Sequence, residues 1–343
     1  MNYLSAINRL SAAPGPSGFE GAVARVALDM LSPLVGEAYL DRMGNVVGLR
    51  PCGKPGAKKV LLDAHLDEIG FIITGQEEGY LRFAPLGGVD PRMLSNRELT
   101  VLTNPPRLGV VACLPPHIQS REDMDKSQPI SELYLDLGLT EEEAKAIPIG
   151  TPAVYRTGCL ALGKDLLSGK ALDDRACFVL LLRALELLEG EELDVDLVVL
   201  GSTQEETHST GAITAAYGLR PDLCVAVDVT HGDSPDASKD KTFPLGKGPV
   251  IGLGPNCTKW ISDLMRRCAK EMDLNVQLEV MSGSSGTNGW PLQVSREGIA
   301  TGVLSLPLRY MHTPIETAHQ GDMEDTARLL AQFIRRVGKE GAL

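Results

Sequence analysis

Five separate segments of the sequence deliver histidine or carboxylate side chains to the ends of predicted buried strands or to the start of a predicted helix. The side chains are those of His65, Asp67, Asp173, Glu205, Glu206, Asp228 and His312. Ligands of open α/β sheets bind just beyond the carboxyl ends of the strands, so we expect these residues to lie at one edge of a sheet. One such residue alone is ordinary in a solvated loop, whereas five converging segments indicate a site.

His65 and Asp67 are two residues apart, so in an extended chain both side chains lie on the same face. A neutral imidazole binds a metal through one nitrogen while its other N–H donates to a carboxylate or carbonyl. We therefore predict His65 as a ligand and Asp67 as the carboxylate that orients it. For this pair taken alone, a surface histidine beside an acid is the alternative.

Glu205 and Glu206 are adjacent and follow the predicted buried strand 195–200. Two carboxylates repel each other and are costly to remove from water, and metal coordination relieves that cost for one of them. The other can then act as a general base near a bound water. The alternative, which also applies to Asp173, is a helix N-terminus, where acidic residues suit the helix dipole.

A charge count is consistent with two divalent cations. Their four positive charges are balanced by three carboxylates (Asp173, Glu206 and Asp228) and one hydroxide, while His65 and His312 complete the ligand set as neutral groups. Nitrogen and oxygen ligands without thiolate suit Zn²⁺ or Co²⁺ first, and also Mn²⁺. The predicted cofactors are therefore two such ions per subunit.

The elements that must position these residues alternate between strands and helices. This pattern predicts an α/β fold with a mostly parallel sheet covered by helices on both faces. From about residue 69, short strands separated by Gly and Pro predict a small inserted β-barrel. We assign residues 1–68 and 164–343 to a catalytic α/β domain and 69–163 to the insert. Within the insert, Thr140 is the expected N-cap of a short helix.

Composition and charge narrow the classes of partner. The net charge of the 343-residue chain is −12, which argues against binding to nucleic acid or to an anionic membrane surface. The chain has neither a run of 18 apolar residues nor an N-terminal apolar segment followed by a cleavage site. The seven cysteines are odd in number and form no Cys-x-x-Cys pair, which favours a reducing compartment. We therefore expect a cytoplasmic protein.

Distinctive motifs run along almost the whole chain. They are Ala13–Glu20, Asp41–Asn45, Asp63–Phe71, Arg82–Gly88, Lys170–Arg175, Gln204–Glu206, Ala226–Thr230 and Arg309–Glu316. In this order, they make the sequence resemble the glutamyl aminopeptidase family, which includes the tetrahedral aminopeptidases. The resemblance implies a zinc-peptidase-like α/β domain with a small β insert used for subunit assembly.

The resemblance also implies a role for each site residue. One metal ion would be held by His65 with Asp228 and the other by Glu206 with His312, and Asp173 would bridge both. Glu205 would take a proton from the bridging water and pass it to the leaving amine. The family pattern further implies that the peptide bond between Asp173 and Asp174 is cis.

The function implied is that of a metal-dependent aminopeptidase, which removes N-terminal residues from peptide substrates. The expected assembly is a homo-oligomer built from dimers, with twelve subunits in many family members. A related two-metal amidohydrolase, such as a carboxypeptidase or an N-acyl amino acid deacylase, is the first alternative. A family member that has lost catalysis is the second.

The sequence departs from the family pattern in two places. Thr207–Gly211 stands where the family usually has Val-Gly-Leu-Arg-Gly, and Asn288 replaces an aspartate. Neither change affects a proposed ligand, but both bear on the substrate pocket and leave the preferred N-terminal residue open. His208 is a further candidate for that pocket, and His231 is a weaker competing ligand.

Overall fold

The computed structural model describes residues 1–120, 126–235 and 237–340. Residues 121–125, which belong to the predicted insert, and 236 and 341–343, which belong to the predicted last segment, lie outside the described residues. The helices are α1 (Tyr3–Ser11), α2 (Gly21–Leu31), α3 (Glu141–Lys145), α4 (Leu172–Leu187), α5 (Glu205–His208), α6 (Thr210–Leu219), α7 (Lys259–Glu271), α8 (Gly289–Gln293) and α9 (Gln320–Glu340).

The strands alternate with these helices outside a central β-rich stretch. They are β1 (Glu37–Leu40), β2 (Val46–Arg50), β3 (Lys58–His65), β4 (Gly70–Glu77), β5 (Tyr80–Leu86), β6 (Glu98–Val101), β7 (Arg107–Ala112), β8 (Tyr134–Asp136), β9 (Pro152–Tyr155), β10 (Leu160–Leu162), β11 (Leu166–Gly169), β12 (Val195–Ser202), β13 (Leu223–His231), β14 (Val250–Leu253), β15 (Gln277–Val280), β16 (Ala300–Arg309) and β17 (Glu316–His319).

The large sheet has a parallel centre and mostly antiparallel flanks. Its main order is β1-β2-β12-β3-β13-β16-β17-β11-β10, with β14 paired to β16 and β15 paired to β14. The neighbours β12, β3, β13 and β16 are parallel to one another. The outer pairs, such as β1 with β2 and β16 with β17, are antiparallel. The four parallel strands all end at the same edge of the sheet.

Helices cover both faces of this sheet. Along β3, Val60 and Leu62 pack into the larger core with residues of α1, α2, α4, α7 and α9, while Leu61 packs into a second core with residues of α6 and α8. Successive side chains of a strand point to opposite faces, so this alternation requires a layer of helices on each side. The predicted α/β fold with helices on both faces is confirmed, but the sheet is mixed rather than mostly parallel, because the flanking strand pairs are antiparallel.

A closed six-stranded barrel, in the order β4-β5-β8-β7-β6-β9, stands beside the sheet. Its core includes Phe71, whose ring makes edge-to-face contacts with Phe83 and Tyr155. The predicted small barrel is thus present. Strand β10 also falls within residues 69–163 but pairs with β11 of the large sheet. The division at residues 68/69 and 163/164 remains our proposal for the domain boundaries.

Two local predictions can be compared directly with the structure. Thr140 caps α3 in a full capping box, in which the Thr140 hydroxyl accepts the Glu143 N–H and the Glu143 side chain accepts the Thr140 N–H. The peptide bond between Asp173 and Asp174 is cis. Both features agree with the sequence-based expectation.

Two expectations from the sequence concern membrane-spanning segments and disulfide bonds. None of the helices in the described part of the chain combines the length and the apolar character that a membrane crossing requires. All seven cysteines are free.

Candidate metal centre

The register of the parallel strands brings the predicted residues to one place. Ser202, the last residue of β12, lies opposite His65, the last residue of β3. Glu205 and Glu206 follow shortly afterwards at the start of α5. Ala226 of β13 lies opposite Asp63, which places Asp228 level with His65. Three neighbouring strand ends therefore supply carboxylates and an imidazole to one edge of the sheet.

The carboxylate of Asp173 lies between the two imidazoles. Its Oδ1 is 3.1 Å from Nε2 of His65, and its Oδ2 is 3.3 Å from Nε2 of His312. Nε2 of His312 is also 3.2 Å from Oε2 of Glu206, and Oε2 of Glu205 lies 3.9 Å from Nε2 of His65. One carboxylate thus directs each of its oxygens towards a different histidine.

The second nitrogen of each imidazole faces an oxygen away from the centre. Nδ1 of His65 is 3.1 Å from the backbone oxygen of Asp67 and 3.5 Å from its carboxylate Oδ1. Nδ1 of His312 is 2.9 Å from the backbone oxygen of Gly88, which lies just after barrel strand β5. A proton on Nδ1 satisfies these acceptors and leaves the Nε2 lone pair directed at the centre, as a metal ligand requires.

Gly88 must approach His312 closely for this contact. A Cβ atom at position 88 would lie 2.8 Å from Nδ1 of His312, too close for a real contact. The absence of a side chain therefore allows the Gly88 carbonyl to reach the imidazole.

Asp67 does more than the sequence predicted. Its carboxylate is fully buried, and its Oδ1 and Oδ2 accept the backbone N–H groups of Glu205 (3.0 Å) and Glu206 (3.1 Å). These are the first two amides of α5, which have no partner within the helix. Asp67 therefore fixes the backbone of both glutamates as well as facing His65.

Two groups of side chains bring ligand atoms within 4.8 Å of one another, as a metal ion requires. One consists of His65, Asp173 and Glu206, and the other of His65, Asp174 and Asp228. Asp174 was not among the predicted ligands. Its Oδ2 accepts the backbone N–H of His65 at 3.2 Å, while its buried Oδ1 has no hydrogen-bond partner among the described residues.

The centre is rich in buried negative charge. Burial raises the pKa of Asp228 and of Asp174 well above the usual range, and nearby carboxylates add to this shift. Burial also raises the pKa of Glu205 to about 8, with the charges of Asp173 and Glu206 opposing the lowering by His65. Burial lowers the pKa of His312, but the carboxylates of Asp173 and Glu206 outweigh it and raise that pKa to about 11.

This arrangement fits divalent cations. In the described part of the chain, the salt bridges that Asp173, Glu205 and Glu206 make are with histidine, so no Lys or Arg neutralises them. The donor set is imidazole nitrogen and carboxylate oxygen, which suits Zn²⁺, Co²⁺ and Mn²⁺. The unpartnered Oδ1 of Asp174 is a further buried oxygen that a cation would satisfy.

Two buried carboxylates at the centre had no predicted role. Glu316 accepts backbone N–H groups from both Asp173 (3.1 Å) and His312 (2.9 Å). Asp63, on β3, accepts a hydrogen bond from the Asn288 side chain at 2.8 Å. The motifs quoted for the family resemblance contain both residues, but nothing in their local sequence indicated these contacts.

The two departures from the family pattern lie in different environments. Asn288 is buried, and its Nδ2 donates to Asp63 and to the Ser202 hydroxyl. Both acceptors lie near the carboxyl ends of their strands, β3 and β12. Thr207 contacts the Ser17 hydroxyl at 3.0 Å. His208 and His231 are exposed, and neither belongs to the two ligand groups.

A buried ion cluster lies behind the centre. The fully buried guanidinium of Arg175 donates to the backbone oxygens of Leu10, Ala13 and Leu66, and forms a 3.0 Å ion pair with Glu68. Glu68 also pairs with Lys170 at 2.5 Å. The cluster joins the turn after α1 to the segment that follows His65.

Comparisons with known proteins identify the family of the chain. Residues 44–329 match the family described as M42 glutamyl aminopeptidase. The lysyl aminopeptidase of Pyrococcus furiosus is 34% identical over 340 residues, which are 96% of this chain and 96% of the relative.

Solved structures match as well. An aminopeptidase from the archaeon Desulfurococcus kamchatkensis has a TM-score of 0.90 at 33% identity, covering 97% of this chain and 94% of that chain. The TET1 peptidase of Pyrococcus horikoshii, described as able to assemble into a tetrahedron or a large octahedral shell, has a TM-score of 0.86 at 28% identity, covering 97% and 99%.

Proposed function

Because this chain belongs to the M42 glutamyl aminopeptidase family and is thus a hydrolase of peptide bonds, we propose that its metal centre removes N-terminal residues from peptides. The observation that carries the proposal is the carboxylate of Asp173, whose two oxygens face Nε2 of His65 and Nε2 of His312. A carboxylate in that position is suited to bridging two cations.

The proposed ligands are those that the sequence predicted: His65 and Asp228 for one ion, Glu206 and His312 for the other, and Asp173 for both. Asp174 also lies within ligand distance of His65 and Asp228. The proposed cofactors are two Zn²⁺ or Co²⁺ ions, with Mn²⁺ as the third choice. When bound, they would polarise the scissile carbonyl and stabilise the developing oxyanion.

Glu205 is the proposed general base. Its carboxylate lies 3.9 Å from Nε2 of His65, and its backbone is held by the hydrogen bond to Asp67. In this role, an oxygen of Glu205 takes the proton of the attacking water and delivers it to the nitrogen of the leaving amine. In the metal-free protein, burial raises the pKa of Glu205 to about 8.

Asp67 and Gly88 support the two imidazoles in this scheme. Their backbone oxygens accept Nδ1–H, which favours the tautomer whose Nε2 lone pair faces the centre and would bind a cation in place of a proton. The Asp67 carboxylate at the same time fixes Glu205 relative to its neighbour Glu206. The base and one ligand of the second ion are therefore held by a single side chain.

The decisive experiment is a substrate panel with metal depletion. We expect protein reconstituted with Co²⁺ or Zn²⁺ to hydrolyse one or more of the Leu-, Glu- and Lys-anilides, and EDTA to abolish this activity. The N-acetylated anilides serve as matched controls and should remain intact, because an aminopeptidase needs the free α-amine. Hydrolysis of N-acetyl amino acids alone would instead indicate the amidohydrolase alternative, and a reconstituted protein inactive on every substrate would indicate loss of catalysis.

We also propose that the chain forms a homo-oligomer, built from dimers and reaching twelve subunits. The assembly described for the Pyrococcus horikoshii peptidase supports this. So do apolar side chains on the outer face of barrel strand β7, where Leu108 is 48% and Val110 is 43% exposed. Light scattering coupled to size-exclusion chromatography measures the subunit number, and a monomer at micromolar concentration would contradict the proposal.

The proposed location is the cytoplasm. The seven free cysteines favour a reducing compartment. Fractionation of the source cells would test this.

A further inference from the structure

Glu316 links two segments of the metal centre that are far apart in the sequence. Its Oε2 accepts the backbone N–H groups of Leu172 (2.8 Å) and Asp173 (3.1 Å), and its Oε1 accepts the backbone N–H of His312 (2.9 Å). The side chain is only 2% exposed. Both oxygens of one buried carboxylate are therefore engaged, one by each segment.

The sheet explains how Glu316 reaches both segments. Glu316 is the first residue of β17 and lies opposite Gly169, the last residue of β11. The chain that leaves β11 passes Glu316 on its way to Asp173, and the chain that enters β17 has just passed His312. Glu316 therefore lies within hydrogen-bonding distance of both segments.

Both segments have backbone conformations that need external support. Ala171, Tyr310 and His312 have φ values of 56°, 60° and 61°, a region that residues with a side chain seldom adopt. Asp173 has non-helical backbone angles although it lies at the start of α4. Such conformations persist only where surrounding contacts determine them.

The hydrogen bonds of Glu316 have ordinary lengths of 2.8, 3.1 and 2.9 Å, and they engage both oxygens of one side chain. Because the three donors belong to the backbone, the bonds fix the course of the chain rather than the rotamer of one side chain. The relative positions of the Asp173 and His312 side chains, whose atoms approach to 3.3 Å, then follow from the backbone.

We propose that Glu316 is a positioning residue of the metal centre. It holds the backbone at Leu172 and Asp173 and the backbone at His312 in one fixed arrangement before any metal binds. It touches neither substrate nor reacting atoms, and it acts through the ligands Asp173 and His312. The inference rests on the proposed metal centre, because positioning of ligands has a purpose only there.

The first test uses the wild-type protein without metal. Hydrogen exchange followed by mass spectrometry reports the amides of Leu172 and Asp173 in one peptide and that of His312 in another. Because the side chain of Glu316 accepts all three N–H groups, we expect slow exchange at all three amides, with a common rate of opening. Exchange at the rate of an unstructured loop in either peptide would overturn the proposal, whatever any variant does.

The second test compares matched variants. The amide of Glu316→Gln can accept hydrogen bonds through its oxygen only, so its NH₂ group must face the N–H donors of one segment. We expect exchange at that segment to accelerate on the order of tenfold or more, because its buried N–H donors lose their acceptor. Asp322 is the control, because its buried carboxylate accepts the backbone N–H groups of Gly246 and Gly248 away from the centre. Asp322→Asn should leave both peptides unchanged.

Metal affinity provides the third readout. Competition with a chelator, followed through the visible absorption of bound Co²⁺, should show about 10- to 100-fold weaker binding in Glu316→Gln and wild-type binding in Asp322→Asn. If wild-type protein binds no Co²⁺, the proposed metal centre itself fails. If wild type binds Co²⁺ and Glu316→Gln binds it equally well with the same spectrum, the positioning role alone is refuted.

Discussion

Replacing Glu205 by Gln tests two properties of this carboxylate: its role as general base when metal is bound, and its effect on stability when metal is absent. In metal-loaded protein, a general base contributes about 10²- to 10⁴-fold to the rate, so we expect turnover to fall by that factor. Metal binding should persist, because Glu205 is not a proposed ligand. In metal-free protein, the same substitution removes a buried negative charge and should stabilise the fold.

The size of the stabilisation follows from the shifted pKa. Burial and the neighbouring carboxylates raise the pKa of Glu205 from 4.5 to about 8. Between these values the folded protein holds a proton that the unfolded chain has lost, so stability falls as the pH rises through this window. Relative to a glutamate whose pKa does not shift on folding, the free energy of unfolding is lower by about 1 kcal/mol at pH 5 and by about 4 kcal/mol at pH 8. For a chain of this length, the larger value corresponds to a change of about 6 °C in the unfolding midpoint.

Thermal unfolding of EDTA-treated wild type and Glu205→Gln at pH 5 and pH 8 measures this effect. The variant should be the more stable protein at pH 8 and nearly equal to wild type at pH 5. A difference that does not grow with pH would refute the electrostatic reasoning, and wild-type turnover in the variant would refute the role as base. Glu206→Gln is the matched comparison: the neighbouring carboxylate contacts His312 at 3.2 Å, so that variant should lose metal affinity.

Three further changes test other parts of the structure. Arg175→Leu removes the guanidinium that pairs with the buried Glu68 and should lower the free energy of unfolding by about 3–5 kcal/mol, which is a drop of about 4–7 °C in the thermal midpoint. The control is Arg267→Leu, which breaks a half-exposed ion pair and should lower the free energy of unfolding by less than about 1 kcal/mol. Asn288→Asp puts a second carboxylate against Asp63, whose pKa burial already raises to about 6, so thermal unfolding should show a loss of stability at pH 8 that shrinks at pH 5. Thr140→Ala removes the hydroxyl that caps α3 and should cost about 1 kcal/mol in the same assay; an unchanged midpoint would contradict the capping role.

The sequence predicted the parts of this protein that depend on strong local patterns. Apolar runs located the central strands, and because parallel strands end together, the polar residues that follow them could be placed at one edge. His65, Glu205 and Asp228 were found in this way. The capping box of α3 was found because its residues are three positions apart.

Other features depend on contacts that leave no mark in the local sequence. Glu316 acts by accepting backbone amides of distant segments, and every residue type except proline supplies such an amide. Asp174 stands beside Asp173, yet its ligand-distance contact with Asp228 depends on the fold of the turn. Asn288 is buried against Asp63, a contact that the residues around position 288 do not indicate. These relations become visible only once the chain is folded.

The contact between the Gly88 carbonyl and His312 limits how this protein can change over evolutionary time. An insert that served assembly alone could be exchanged, shortened or lost while the parent domain continued to work. Here the stretch that leaves β5 supplies the oxygen that faces Nδ1 of His312, so removal of the barrel would also remove a contact of the metal centre. The outer wall of the barrel remains free to diversify, and new quaternary arrangements can arise there. The short stretch around Gly88 must keep its length and its glycine.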